Sequence, residues 1–224
     1  MDKEWSEKNK KMQTLISKEA TFSEGIKVLL ELRNSLFAQI TSIVNTFSPV
    51  AFYQLPFGHG DKNHNSTLAW SLWHLFRIED IVAHTLILKD RQILFERSWI
   101  EKINSPIITT GNELDGGAMV DFSKKLNVKA LYEYCKAVMD PTNELLNSLR
   151  FSDLKRKFSS ADKERLIAGK CVSDSDSASW LIDFWCGKNV KGLIQMPFSR
   201  HWIMHVEAML RIKNKLCQEA KRNC

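Results

Sequence analysis

The chain has 224 residues, a formal net charge of +6, and 44% hydrophobic and 26% charged residues. This length suffices for one sizeable hydrophobic core, and the composition excludes disordered and fibrous proteins. Only 9 glycines and 5 prolines interrupt the sequence, which favours long helices over many short strands. We therefore expect one all-α domain over residues 1–224.

Several classes of partner and location are disfavoured by the sequence. No stretch approaches the roughly 18 apolar residues of a membrane helix, and the N-terminus lacks a signal-peptide core. The 5 cysteines are widely spaced and odd in number, which argues against a disulfide framework, and we expect Cys224 to be exposed. Scattered basic residues without interleaved aromatics disfavour nucleic-acid binding. We expect a cytoplasmic protein without a membrane partner.

The first helices are predicted before residue 49. Residues 3–19 are weakly amphipathic, and we expect a peripheral helix within residues 1–20, on the outside of the main bundle. Thr21 and Glu24 have the spacing of a capping box, so the first main helix is predicted to begin there. Apolar residues then recur every three or four positions until the helix ends near Ser48-Pro49.

Residues 49–65 are predicted to form a loop because they contain proline, glycine, asparagine and aspartate. His59 and His64 lie in this loop, where histidines are usually exposed polar residues.

The second main helix is predicted at Thr67–Leu88, with Asn65 or Ser66 as its N-cap. Apolar residues surround nearly its whole circumference, which indicates a central position in the fold. Three charged residues lie together in its middle: Arg77, Glu79 and Asp80. They form either an internal Arg77–Asp80 ion pair, joined by Asp183 or Glu207, or a carboxylate that orients a ligand histidine.

Two long connections separate the remaining main helices. The first, residues 89–126, is predicted to hold a short helix at Trp99–Ile103 and a turn-rich loop at Thr109–Gly117. The second, residues 150–196, is predicted to hold short helices at Ala161–Ala168 and Ala178–Trp185. The main helices are predicted at Val128–Leu149, kinked or split by Pro141, and from Pro197 to Ala220. Four main helices with two crossovers are compatible with a four-helix bundle.

His201 and His205 are spaced i, i+4 in the stretch HWIMH, so a helix places both imidazoles on one face. His74, on the central helix, is the third candidate ligand for one divalent metal ion. The alternative is that these are core histidines, each hydrogen-bonded to a neighbour. Residue 202 is Trp, so the general-base Glu of a metalloprotease motif is missing. Three protein ligands leave a coordination position open, which is typical of catalytic sites.

Large apolar side chains are frequent near this histidine pair, and they are typical either of a substrate cavity or, more often at helical spacing, of the core. They are Trp180, Trp185, Trp202, Met196, Met204 and Met209.

Three stretches resemble the DinB-like superfamily of four-helix bundle metalloproteins. They are AWSLWHLFRIED at 69–80, WLIDFWCGKNVKGLIQMP at 180–197 and SRHWIMHVEAMLRIKNKL at 199–216. The similarity spans residues 20–220 and is greatest to a bacterial subgroup of uncharacterised activity. The motif residues that match are His74, His201 and His205. Many members have a His-Arg-Gly run after the second helical histidine, where this chain has Val206-Glu207-Ala208.

The resemblance implies a bundle with a long crossover, a zinc or nickel ion on the three histidines, and a homodimer. It implies transfer of a low-molecular-weight thiol cosubstrate, or hydrolysis of a small-molecule substrate. Fold does not fix function, so the alternative is a non-catalytic metal- or ligand-binding bundle that acts as a dimeric structural or interaction protein. The sequence identifies no general base.

Overall fold

The structure is a computed structural model that describes residues 2–57 and 65–222. His59, His64 and Cys224, for which exposed positions are predicted, therefore lie outside the described residues. Across the described ranges the chain is helical, and its only extended pairing is an isolated bridge between Lys157 and Asn189. The prediction of an all-α fold is confirmed.

Four long helices form the bundle. They are α2 (Phe22–Thr46), α3 (Leu68–Asp80), α6 (Val128–Ser148) and α10 (His201–Arg222). α3 continues as a π-helical segment, Ile81–Leu88, and a π-helical turn, Met196–Arg200, leads into α10. The shorter helices are α1 (Lys3–Leu15), α4 (Trp99–Ile103), α5 (Gly116–Lys125), α7 (Ser160–Ala168), α8 (Asp176–Cys186) and α9 (Val190–Gln195).

The central position of α3 follows from its sequence. Nearly all of its side chains are buried, because it packs against both α6 and α10. α2 closes the bundle against α10 and α6 with a stripe that includes Leu29, Leu36 and Ile40, all fully buried. No helix within residues 2–57 and 65–222 combines the length and apolarity needed to cross a membrane.

The N-terminal helix α1 packs along α2, as predicted, and buries Trp5 and Met12. The predicted capping box at Thr21 is wrong. The Thr21 hydroxyl donates to the carbonyl of Leu15 at 2.8 Å, so it caps the end of the preceding helix α1. It makes no capping hydrogen bond to α2. Glu24 faces Lys11 of α1 at 3.7 Å.

Two other local predictions differ from the structure, and of the two alternatives for Pro141 the structure excludes a split helix. The N-cap of α3 is Thr67, whose hydroxyl accepts from the amide of Trp70 at 3.0 Å, and not Asn65 or Ser66. α5 was missed because it begins at Gly116, within a stretch rich in turn formers. α6 passes through Pro141 without being split. The predicted short helices in both connections are confirmed.

Candidate metal centre

The three predicted histidines meet where α3 and α10 pack together. His74 lies on α3, and His201 and His205 lie one turn apart at the start of α10. One ring nitrogen from each lies within 4.8 Å of the other two. The ring centroids are 4.4 to 5.1 Å apart. His74 and His201 are buried, whereas His205 is half-buried, so His205 is the most exposed member of the group.

The orientation of His74 is set by a backbone carbonyl. His74 Nδ1 lies 3.0 Å from the carbonyl oxygen of Thr110, which can only accept, so Nδ1 carries the proton. Nε2 therefore has a free lone pair and faces His201 Nε2 at 3.2 Å. Trp70 stacks on the ring with centroids 4.6 Å apart. The hypothesis that a carboxylate of α3 orients a ligand histidine is wrong, because this carbonyl does so.

The Thr110 carbonyl belongs to a short segment, residues 108–111, that is fastened along α3. Its four successive carbonyls accept hydrogen bonds from the side chains of Arg77, Trp73, His74 and Trp70, respectively. Gly111 has a φ of +77°, and an added Cβ would lie 3.0 Å from the Trp70 ring nitrogen, so glycine is required there. The segment fixes His74 against rotation.

All three imidazoles are neutral near pH 7. Burial lowers the pKa of His74 to about 4, although the hydrogen bond to Thr110 acts in the opposite direction. Burial, and then the neighbouring imidazoles, hold the pKa values of His201 and His205 well below their usual range. Neutral imidazole is the form that binds a metal ion, so the site needs no deprotonation before binding.

These residues fit a divalent ion. Two nitrogens bound to one tetrahedral zinc ion at about 2.1 Å lie about 3.4 Å apart, close to the observed 3.2 Å between His74 and His201. The same distance suits a hydrogen bond between the two rings in the metal-free protein. His201 Nδ1 is buried without a partner among the described residues in either case. Within the described part of the chain the group contains only imidazoles, so it offers three ligands.

The charged residues of α3 form structural ion pairs next to this centre. Arg77 donates to Asp80 at 2.8 Å, so the predicted pair is confirmed. Asp80 also accepts from the hydroxyl of Tyr134 at 2.7 Å and from two backbone amides. Asp183 and Glu207 do not join it: the former pairs with Lys163 and the latter accepts from the Asp2 amide.

Sequence reasoning missed a second buried pair. Arg33 of α2 and Glu79 are joined by two parallel hydrogen bonds of 2.7 and 2.9 Å, and both side chains are fully buried. The indole of Trp202 donates to Glu79 at 2.6 Å. The sequence did contain a signal for this pair, because Arg33 lies at helical spacing between Leu29 and Leu36 on the apolar face of α2. A charge there is buried and needs a partner.

Two cavities adjoin the histidines. A cleft of about 700 Å³ lies on the His205 side, and its lining includes Arg200, Arg211 and Met204. A chamber of about 90 Å³ has a lining that includes His74 and His201. Asn112 lines both cavities, so they are neighbours, and each is lined by at least one of the three histidines.

The large apolar residues near the histidine pair divide between the core and these cavities. Trp185, Trp202 and Met209 are buried, as a core interpretation predicts. Trp180 is 50% exposed and Met204 is 44% exposed, so the core interpretation is wrong for these two. Trp180, Trp185 and Met196 line the small chamber, whereas Met204 lines the cleft.

No protein-family model and no curated protein matches the chain. Its fold is similar to the crystal structure of a conserved protein of locus from Enterococcus faecalis, with a TM-score of 0.59 at 12% sequence identity. The similarity covers 86% of this chain and 96% of that chain. At this identity the comparison shows a shared fold alone, so the function must be argued from the site.

Proposed function

We propose that the chain is a divalent-metal-dependent enzyme of the DinB-like superfamily, with His74, His201 and His205 as the ligands of one zinc or nickel ion. The observation that carries the proposal is the convergence of three neutral imidazoles from two helices within 4.8 Å. Burying three imidazoles together costs folding free energy, and a bound ion would offset that cost.

Each part of the protein has a separate task in this proposal. The carbonyl of Thr110 holds the His74 ring in the tautomer that presents Nε2 to the ion. The i, i+4 spacing of α10 presents His201 and His205 from one face. The stacked Trp70 ring keeps water from one side of His74. These contacts preorganise the ligands before the ion binds.

The proposed reaction is thiol transfer to a small electrophile or hydrolysis of a small molecule. An ion with an open coordination position lowers the pKa of a bound thiol or water and polarises a substrate oxygen. His205 lines the cleft of about 700 Å³, so a substrate in the cleft would be able to reach an ion held by the histidines. The cleft is large enough for a small-molecule substrate and a thiol. Arg200 and Arg211 line the cleft together with Asp115 and Glu207, so it offers partners of both signs to a polar substrate.

Activity of the reloaded protein tests this function. The protein is stripped with chelator, reloaded with zinc or nickel, and assayed with panels of thiols plus electrophiles and of hydrolysable esters and amides. We expect turnover that requires the ion and is lost in His74→Ala. His84→Gln is the matched control, because His84 is also buried but pairs with Asp90 outside the centre.

A protein that binds one ion but turns over none of these substrates would support the alternative, a non-catalytic metal-binding bundle. The specific observation in its favour is that no carboxylate within residues 2–57 and 65–222 belongs to the histidine group. The homodimer and the cytoplasmic location stay predictions, and gel filtration with light scattering tests the first of them.

A further inference from the structure

The small chamber beside His74 and His201 has a chemical character unlike that of the cleft. Aromatic and aliphatic side chains form most of its wall, and no charged residue among the described ones lines it. Its polar lining residues are the two histidines and Asn112. The apolar wall residues are Ile78, Trp180, Leu181, Phe184, Trp185, Met196 and Pro197. A group placed here is desolvated on entry, so an apolar group is favoured and a charged group is excluded.

The size of the chamber limits what it can hold. An apolar protein cavity of about 150 Å³ accommodates benzene, which has six carbon atoms. By that measure the observed volume of about 90 Å³ accommodates three or four carbon atoms.

Trp180 forms the outer part of this wall at a cost to the protein. Its side chain is 50% exposed, although large aromatic side chains usually contribute most when they are buried. It is nevertheless held in place: its indole donates to the Ser177 carbonyl at 3.0 Å, and its ring meets Phe184 edge to face at 5.6 Å. An indole that is fixed beside a cavity offers a large apolar face to a group bound there.

We propose that this chamber binds a short unbranched apolar group, of three or four carbon atoms, on the molecule whose polar end meets the metal centre. Trp180 is the residue that determines this specificity. The inference rests on the proposed function, because the metal centre positions the polar end of the ligand. The polar remainder of the molecule extends into the cleft on the His205 side.

Straight-chain thiols from ethanethiol to hexanethiol test the inference by binding alone. The protein is loaded with Co²⁺, and thiol binding is followed by the sulfur-to-cobalt absorption band. The thiol group is the same throughout the series, so differences in Kd report on the alkyl chain of the thiol. We expect affinity to rise about fourfold per methylene up to butanethiol, because each methylene is buried, and then to stay constant.

Two variants identify the cavity that is used. In Trp180→Ala the alkyl chain of the thiol is left in contact with water. The gain in affinity per methylene should therefore fall below about twofold, while ethanethiol binding is unchanged. Val50→Ala removes a similarly exposed apolar side chain that lines neither cavity, so it is the control and should keep the wild-type series. Met204→Ala tests the cleft as the alternative place for the alkyl chain.

The possible contrary results have separate meanings. Stoichiometric Co²⁺ with no dependence on chain length, or the same series in Trp180→Ala as in the wild type, would overturn the chamber proposal alone. A series altered by Met204→Ala and not by Trp180→Ala would overturn it by placing the chain in the cleft. Failure to bind Co²⁺ would overturn the proposed function and this inference with it.

Discussion

Two buried polar clusters lie next to each other on α3, and they differ in how well their hydrogen bonds are satisfied. In the ion-pair cluster, Arg33 binds Glu79 through two hydrogen bonds and Arg77 binds Asp80, which also accepts from two backbone amides. In the histidine cluster, two ring nitrogens face each other and His201 Nδ1 has no partner among the described residues. The ion pairs are complete without a ligand, whereas the three converging imidazoles present ring nitrogens that a metal ion could bind.

This difference separates structure from function within one helix. Buried polar groups that are fully hydrogen-bonded rigidify a fold and specify its packing. Three neutral imidazoles that converge without a counter-charge are, by contrast, a ligand set typical of a bound metal ion. We therefore assign the ion pairs to folding and the histidines to ligand binding.

The largest effect is expected from Glu79→Ala in the metal-free protein. The substitution leaves the fully buried Arg33 guanidinium without its carboxylate, which typically costs about 3–5 kcal/mol. Urea denaturation monitored by circular dichroism measures the loss. Glu133→Ala, which removes an exposed carboxylate paired with Lys136, is the control and should change the free energy of unfolding little. Equal losses in both variants would show that the buried pair has no special structural role.

The second largest effect is expected from zinc, which should stabilise the wild-type protein. At a free zinc concentration 100 times the Kd, binding to the folded state alone contributes about 2.7 kcal/mol. The same urea titration with and without zinc measures the gain. The His201→Ala/His205→Ala variant should show no gain. An equal gain in that variant would mean that zinc binds elsewhere.

Tyr134→Phe should have a smaller effect. The hydroxyl donates to Asp80 at 2.7 Å, and its loss leaves Asp80 with its other donors, so we expect a cost of about 2 kcal/mol. Metal content should stay that of the wild type. Loss of the metal together with this hydroxyl would show that the ion-pair cluster belongs to the metal site, contrary to the separation proposed above.

The smallest effect is expected from His201→Leu in the metal-free protein. The change removes the unpaired buried Nδ1, which favours the variant, and also the ring hydrogen bond to His74, which disfavours it. The two effects offset each other, so the free energy of unfolding should stay within about 1 kcal/mol of the wild type. Stabilisation by zinc should disappear. Urea denaturation of His201→Leu and Tyr134→Phe compares the two losses. A loss in His201→Leu as large as that in Tyr134→Phe would identify His201 as a satisfied core residue.

The long elements of the fold could be predicted because their signals are local. Apolar spacing predicted α2, α3, α6 and α10 to within a few residues at most ends. The cap at Thr21 could not be predicted, since its hydroxyl has two possible partners and only the packing of α1 on α2 decides between them. The signals that mark the start of a helix are also weak next to a pair of glycines, which is why α5 was missed.

The histidine trio was predicted from helical spacing together with the family resemblance, and the structure brings all three together. The group that orients His74 could not be predicted, because it is the backbone carbonyl of Thr110 and carries no residue-type signal. The Arg33–Glu79 pair was predictable in principle from an arginine on an apolar face. Which carboxylate it meets depends on how α2 packs against α3.

Elemental analysis of the untagged protein, purified without chelator, tests the central claim most directly. We expect about one zinc, nickel or similar ion per chain in the wild type and in the His84→Gln control, and none in His201→Ala/His205→Ala. Absence of metal from the wild type, even after incubation with zinc and nickel, would contradict the account and would make the three histidines residues of the core.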